Sequence, residues 1–132
     1  MADKPRILLV DDEPSLLKAV AKRLEMNGYA VSVARDGVEG LQRARKDRPD
    51  LIVLDVMMPK LNGFEVCRLL KFDKAVKHIP VILCTALTQD NDQRVGLECG
   101  ADAYLRKPFK PQELLEQISV LLKRPGPAEG KA

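Results

Sequence analysis

The stretch LIVLDVMMP, residues 51–59, carries the decision about the fold. Leu51 to Leu54 are four apolar residues in a row, the pattern of a strand covered on both faces. The run then meets a carboxylate, Asp55, followed by further apolar residues and Pro59. A carboxylate at that point is either a cap that reaches water or a group placed to do chemistry. The flanking sequence has to decide between them.

Outward from this strand the chain alternates strand and helix five times. ILLV at 7–10 is a short apolar run, followed by a helix from about Pro14 to Asn27 with Leu16, Leu17, Val20, Ala21 and Leu24 on one face. Pro14 lies in its first turn and Gly28 just past its end, the usual asymmetry of helix termini. AVSVA at 30–34 alternates, as a half-exposed strand at a sheet edge does. A second helix spans about Val38 to Lys46, and 51–54 is the third strand. Asn62 and Glu65 form a capping-box start for a third helix to about Phe72. VILC at 81–84 is the fourth strand, 89–99 a weakly apolar fourth helix, and AYL at 103–105 a short fifth strand. The last helix, from about Pro111 to Lys123, carries Leu114, Leu115, Ile118, Leu121 and Leu122. Repeated strand–helix units with buried strands imply an α/β fold, a parallel sheet with helices on both faces.

The totals agree. At 132 residues the chain suits one domain with a proper core and no need of disulfide or metal staples. A net charge of +3 without a basic stripe gives no nucleic-acid footprint. Cys67, Cys84 and Cys99 are odd in number and irregularly spaced, so they read as reduced core residues of a cytosolic protein rather than a zinc site. No signal core is present at the N-terminus, and no apolar run approaches the ~18 residues that span a membrane.

The polar residues at the strand ends are more telling. Asp11 and Asp12 come after the first strand, Asp55 after the third, Thr85 after the fourth and Lys107 after the fifth. Ligands of open α/β sheets bind outside the carboxyl ends of the strands, so these residues are expected at one sheet edge. Three carboxylates together repel one another unless a cation or a proton intervenes. All-oxygen donors suit Mg²⁺. With Lys107 as a point charge and Thr85 as a hydroxyl donor, the set fits a phosphoryl group. A carboxylate can itself be the nucleophile and form an aspartyl phosphate.

DD at 11–12, LDVMMPKLNG at 54–63, CTA at 84–86 and GADAYLRKPF at 100–109 closely resemble the receiver domain of bacterial two-component response regulators, over residues 6 to about 123. The resemblance implies a (βα)5 doubly wound, flavodoxin-like sheet in the order 2-1-3-4-5. It implies that Asp55 accepts a phosphoryl group from a sensor histidine kinase or phosphotransfer protein. Asp12 and Asp55 would ligate Mg²⁺, with Asp11 acting mostly through a water and the backbone carbonyl of Met57 as a further ligand. Lys107 would pair with Asp55 and then with the phosphoryl oxygens. Thr85 would move to hydrogen-bond the phosphoryl group, and Tyr104 would swing into the space it leaves. Met57, Ala86 and Leu87 would flank the phosphoryl group, and Lys107–Pro108 would be a cis peptide. Output would pass to a downstream protein or attached effector domain through about residues 88–123, with a homodimer also open. No nucleic acid or membrane is expected to be bound directly. The domain is expected to cover 1–124, with 125–132 a flexible tail or linker start.

Blander readings exist for each residue alone. Asp11 and Asp12 could cap the first helix, Asp55 could reach water, Thr85 could bond the backbone, and Lys107 could be solvated. Tyr104 could be plain packing. His78 reads as a solvated turn residue, and Arg43, Arg45, Lys46 and Arg48 as the wet face of a helix. Rival functions read less well. A flavodoxin-like cofactor binder needs a phosphate loop where DDEPS stands, and a P-loop enzyme needs the missing G-x4-G-K-[ST]. A phosphatase of the haloacid dehalogenase type wants an aspartate where Met57 stands. A phosphate-independent pseudo-receiver, a docking module, remains as the alternative. Met57 and Leu87 are apolar and cannot orient water, which predicts slow self-dephosphorylation. The weak fourth helix predicts that exchange in 88–99 responds most to phosphorylation.

Overall fold

A computed structural model describes residues 4–86 and 99–123. Strands β1 (Arg6–Val10), β2 (Ala30–Ala34), β3 (Leu51–Asp55), β4 (Val81–Thr85) and β5 (Ala103–Arg106) form one sheet. Its order is β2-β1-β3-β4-β5, with every pairing parallel. Among the described residues the helices are α1 (Pro14–Met26), α2 (Gly37–Asp47), α3 (Gly63–Phe72) and α4 (Pro111–Leu122). The parallel sheet is the one the strand–helix pattern predicts, its strand order is the one the resemblance implies, and β2 is indeed a half-exposed edge.

Strand alternation divides the core in two. Leu8, Val10, Ile52, Leu54, Val81 and Leu83 pack with Ala44, Val66, Cys67 and Leu70 under α2 and α3. Ile7, Leu9, Leu51, Val53, Ile82 and Cys84 pack with Leu17, Leu24, Leu114 and Ile118 under α1 and α4. Strands buried on both faces need these near-continuous apolar runs.

Local chemistry sets the helix ends. Pro14 starts α1, and Gly28 at φ +92° turns the chain from its end into β2. Asp36 caps α2 through the Glu39 N–H at 2.8 Å. Asn62 and Glu65 exchange both bonds of a capping box at 3.0 Å each. The helix expected at 89–99 lies outside the described residues except for Cys99, which sits in a turn with Gly100. There Gly100 has φ +92°, a backbone state that ends a helix rather than continuing one.

One polar tie was not foreseen. Lys71, at the end of α3, donates to Lys77 O at 3.2 Å, Ile79 O at 2.9 Å and Asp102 Oδ2 at 2.8 Å. Asp102 Oδ2 also accepts the Val81 N–H at 2.8 Å. This fastens α3 and the turn before β5 to the amino end of β4, away from the acidic residues.

Candidate functional site

The two polar strand ends belong to the strands themselves. Asp55 stands in register with Cys84, and Thr85 with Arg106, so β3 and β4 each run one residue further than the apolar pattern indicates. The Val56 N–H donates to Cys84 O at 2.9 Å and the Lys107 N–H to Thr85 O at 2.7 Å. Sheet hydrogen bonds therefore continue past both residues and hold their backbones still. The segment after β3 is pinned as well: the Gly63 N–H donates to Val56 O at 3.0 Å. Gly63 lies against the Asp55–Val56 backbone so closely that a Cβ there would sit 2.8 Å from Val56 Cα.

Alternation also explains which side chains meet. Residues 7, 9 and 11, residues 51, 53 and 55, and residues 105 and 107 carry one parity, the one that faces α1 and α4. Lys107 accordingly reaches both Asp11, with Nζ to Oδ2 at 3.0 Å, and Asp55, with Nζ to Oδ1 at 3.1 Å. The pairing with Asp11 adds to the expected one with Asp55. Carboxylate oxygens of Asp11, Asp12 and Asp55 all lie within 4.8 Å of one another. Asp11 and Asp55 are buried and Asp12 is exposed. Asp11 Oδ1 also accepts the Glu13 N–H at 3.0 Å. Glu13 is the α1 N-cap and its side chain makes no capping bond. The helix-start reading thus describes one oxygen of Asp11, while the other faces the lysine.

Thr85 has the opposite parity, is fully buried and closes β4. Tyr104 is half-buried and packs on the same side, against the α2–α3 core. Ala86 is exposed. The apolar Met57 side chain, two residues after Asp55, is 59% exposed. Leu87 lies outside the described residues. The Lys107–Pro108 peptide is cis. His78 is exposed in a turn, and Arg43, Arg45, Lys46 and Arg48 are exposed on α2 and its end.

Three carboxylates and one ammonium leave the cluster short of positive charge. Burial, then the neighbouring Asp11 charge, raises the Asp55 carboxyl above its ordinary range, and Lys107 only partly opposes this. Burial alone would depress the Lys107 ammonium, but its bonds to Asp11 and Asp55 outweigh that and hold it above its usual value. Asp55 Oδ1 is buried and, despite its closeness to Nζ, lacks a well-directed hydrogen bond among the described residues. An under-compensated, all-oxygen cluster of three carboxylates around one ammonium fits a hard divalent cation. An apolar groove of ≈430 Å³ opens beside it, lined by Leu16, Ala19, Val20, Lys107, Phe109 and Leu114.

Comparison with known proteins agrees with this geometry. Residues 7–119 match the response regulator receiver domain family. The DNA-binding dual master transcriptional regulator RpaA of Synechocystis is 47% identical over 120 residues, which are 91% of this chain and 50% of RpaA. The chain thus spans about half the length of the curated relatives it matches. The receiver domain of a signal transduction histidine kinase from Syntrophus aciditrophicus is 39% identical, with a TM-score of 0.85 over 90% of each chain. The receiver domain of the sensor histidine kinase PA1611 from Pseudomonas aeruginosa, solved with a magnesium ion in its active-site cleft, is 30% identical. It has a TM-score of 0.84 over 92% of this chain and 99% of its own. With a family match across most of its length and the sheet edge arranged as described, the chain belongs to the response regulator receiver domain family.

Proposed function

We propose that this chain is a phosphorylation-switched signalling module in which Asp55 accepts a phosphoryl group from a phosphohistidine on a sensor kinase or phosphotransfer protein. The observation that carries this reading is the Lys107 ammonium bridging two buried strand-end aspartates, 3.0 Å from one and 3.1 Å from the other. A rigid strand end presents the Asp55 carboxylate as nucleophile, and Lys107 offers charge to the incoming phosphoryl oxygens. Asp12 and Asp55, with Asp11 through a water and the Met57 carbonyl, are the groups to hold Mg²⁺. Bound there, the ion supplies charge neutralisation for phosphoryl transfer. The magnesium in the related PA1611 receiver supports that assignment.

The acyl phosphate adds roughly two negative charges at Asp55. Thr85, on the opposite face of the neighbouring strand, answers by moving its hydroxyl toward the phosphoryl group, and Tyr104 follows it inward. The residues from about 88 to 123 then present the altered surface to a downstream protein or an attached effector domain. RpaA, a DNA-binding regulator about twice as long, supports an effector of that kind. The domain itself covers 1–124, and 125–132 serves as tail or linker. The module promotes its own phosphorylation and dephosphorylation and turns over no external substrate. Such a module works in the cytoplasm; among the described residues no helix is long and apolar enough to cross a membrane.

Intact mass after incubation with acetyl phosphate, with and without Mg²⁺ and beside Asp55→Asn, tests the proposal. A single Mg²⁺-dependent phosphoryl adduct that vanishes in the variant is expected. No adduct on folded protein with Mg²⁺ in excess would leave the phosphate-independent docking module as the better reading.

A further inference from the structure

Three cysteines are free and buried, and the fold sorts them unequally. Cys84 belongs to the core under α1 and α4. Cys67, on α3, and Cys99, in the turn before β5, share the core under α2 and α3 although 32 positions apart. The Cys67 thiol lies 3.6 Å from the Cys99 carbonyl oxygen. That contact sets the two cysteines side by side in one core. Cys99 has a way out: with Arg68, Lys71, Phe72 and Gly100 it lines a surface recess of ≈540 Å³. Arg68 therefore stands at the mouth through which a small polar oxidant would approach, while the Lys71 ammonium is held by Lys77 O, Ile79 O and Asp102.

We infer that Cys67 and Cys99 are a redox-active pair, with Cys99 as the attacking thiolate and Cys67 as the resolving thiol, which a hydroperoxide converts to an intramolecular disulfide. Nothing in the phosphoryl chemistry uses either residue, so the inference stands apart from the function proposed above. The neighbouring Cys67 side chain lowers the Cys99 thiol below its ordinary value, assisted by the Ala101 N–H and the Arg68 charge and opposed by burial. Cys67 does not line that recess, so Cys99 is the thiol an oxidant meets and Cys67 the one behind it. Burial pushes Cys84 up to about 12.

The steps balance. The Cys99 thiolate attacks the peroxide, a sulfur–oxygen bond forms, the O–O bond breaks, and an alcohol or water leaves after protonation. Cys67 sulfur then attacks the resulting sulfenic sulfur, giving up its proton as the sulfur–oxygen bond breaks and water leaves. Each sulfur is oxidised by one electron, and the peroxide takes both. A dithiol reductant reverses the change.

Treating the fully reduced chain with hydrogen peroxide, alkylating the remaining thiols under denaturing conditions and mapping peptides tests this. The expected product has lost the mass of two hydrogens, carries a Cys67–Cys99 cross-linked peptide and leaves Cys84 alkylatable. Dithiothreitol restores all three thiols. In Cys67→Ser the Cys99 sulfenic acid persists and is trapped by dimedone, and Cys99 reacts about ten-fold or more faster than Cys84. Because the mapping is done on the unaltered chain, a poorly folded variant does not decide the matter. Three intact thiols at peroxide levels that oxidise an ordinary free thiol, a bridge that includes Cys84, or only intermolecular cross-links would overturn the inference.

Discussion

Gly63 stands where α3 begins, and its lack of a side chain lets the helix start sit on the strand end that carries Asp55. Alanine there tests whether that contact holds the acceptor in place. The added Cβ would lie 2.8 Å from Val56 Cα and 2.9 Å from the Asp55 carbonyl carbon, with the Asp55 carbonyl oxygen closer still. That is roughly 0.7 Å inside the ~3.5 Å at which carbon atoms meet comfortably. Neither neighbour can swing aside, because both are backbone in a strand end buried on both faces. Overpacking of this kind costs up to ~3 kcal/mol. The gain from alanine in a helix returns at most ~1 kcal/mol, leaving a loss of about 2 kcal/mol. At ~3–6 °C per kcal/mol for a domain of this size, the melting midpoint falls by about 6–12 °C. The relief has to come from moving Asp55 relative to Lys107, so phosphorylation by acetyl phosphate slows by about 10–100-fold. Gly28→Ala is the control: φ is +92° but nothing lies within 4 Å of the new Cβ. It should lose about 1 kcal/mol through backbone strain and keep its phosphorylation rate. A Gly63→Ala protein that melts within a degree of the parent and is phosphorylated at the parent rate would refute the reasoning.

The same geometry sets other outcomes. Asp55→Asn should stabilise the Mg²⁺-free protein at neutral pH by about 1 kcal/mol, since it removes a buried charge crowded by Asp11. With its carboxyl raised in the fold, the parent loses stability as pH rises from the ordinary carboxylate range through the raised value. The gap to the variant should therefore widen with pH in thermal melts and vanish in strong acid; a gap independent of pH would contradict it. Lys71→Met removes three hydrogen bonds from one ammonium and should cost about 3 kcal/mol in urea unfolding. Phosphorylation kinetics should not change in that variant, because the tie sits at the far end of the sheet. Met57→Asn should shorten the lifetime of the aspartyl phosphate several-fold, measured as loss of the mass adduct, by placing a polar group where an exposed methionine now stands. An unchanged lifetime would remove Met57 from the set that limits hydrolysis.

Much of the fold and the site was legible in the residues. The runs 7–10, 51–54 and 81–84 announce buried strands, and the polar residue after each announces the site edge. Asp11, Asp12, Asp55 and Lys107 are brought together as that reading expects. What escaped it are contacts that depend on side-chain reach across the sheet. The Lys107–Asp11 pair results from parity once the strand order and register are known, and a contact between residues 96 positions apart is not written in any local pattern. Lys71 and Asp102 look like ordinary surface charges in sequence; only the packing of α3 against the β5 turn pairs them. The cysteine spacing suggested unrelated core residues, and the fold makes a pair of two of them.

The alternation of the strands has a further consequence. Acceptor, lysine and inner aspartate sit above the α1–α4 side, while Tyr104, and Thr85 by its parity, belong to the α2–α3 side. The sheet therefore stands between them, and the two sets adjoin at the neighbouring ends of β3 and β4. Under the proposed function, the groups that take up the phosphoryl group and the pair that answers it therefore lie on opposite faces of one sheet.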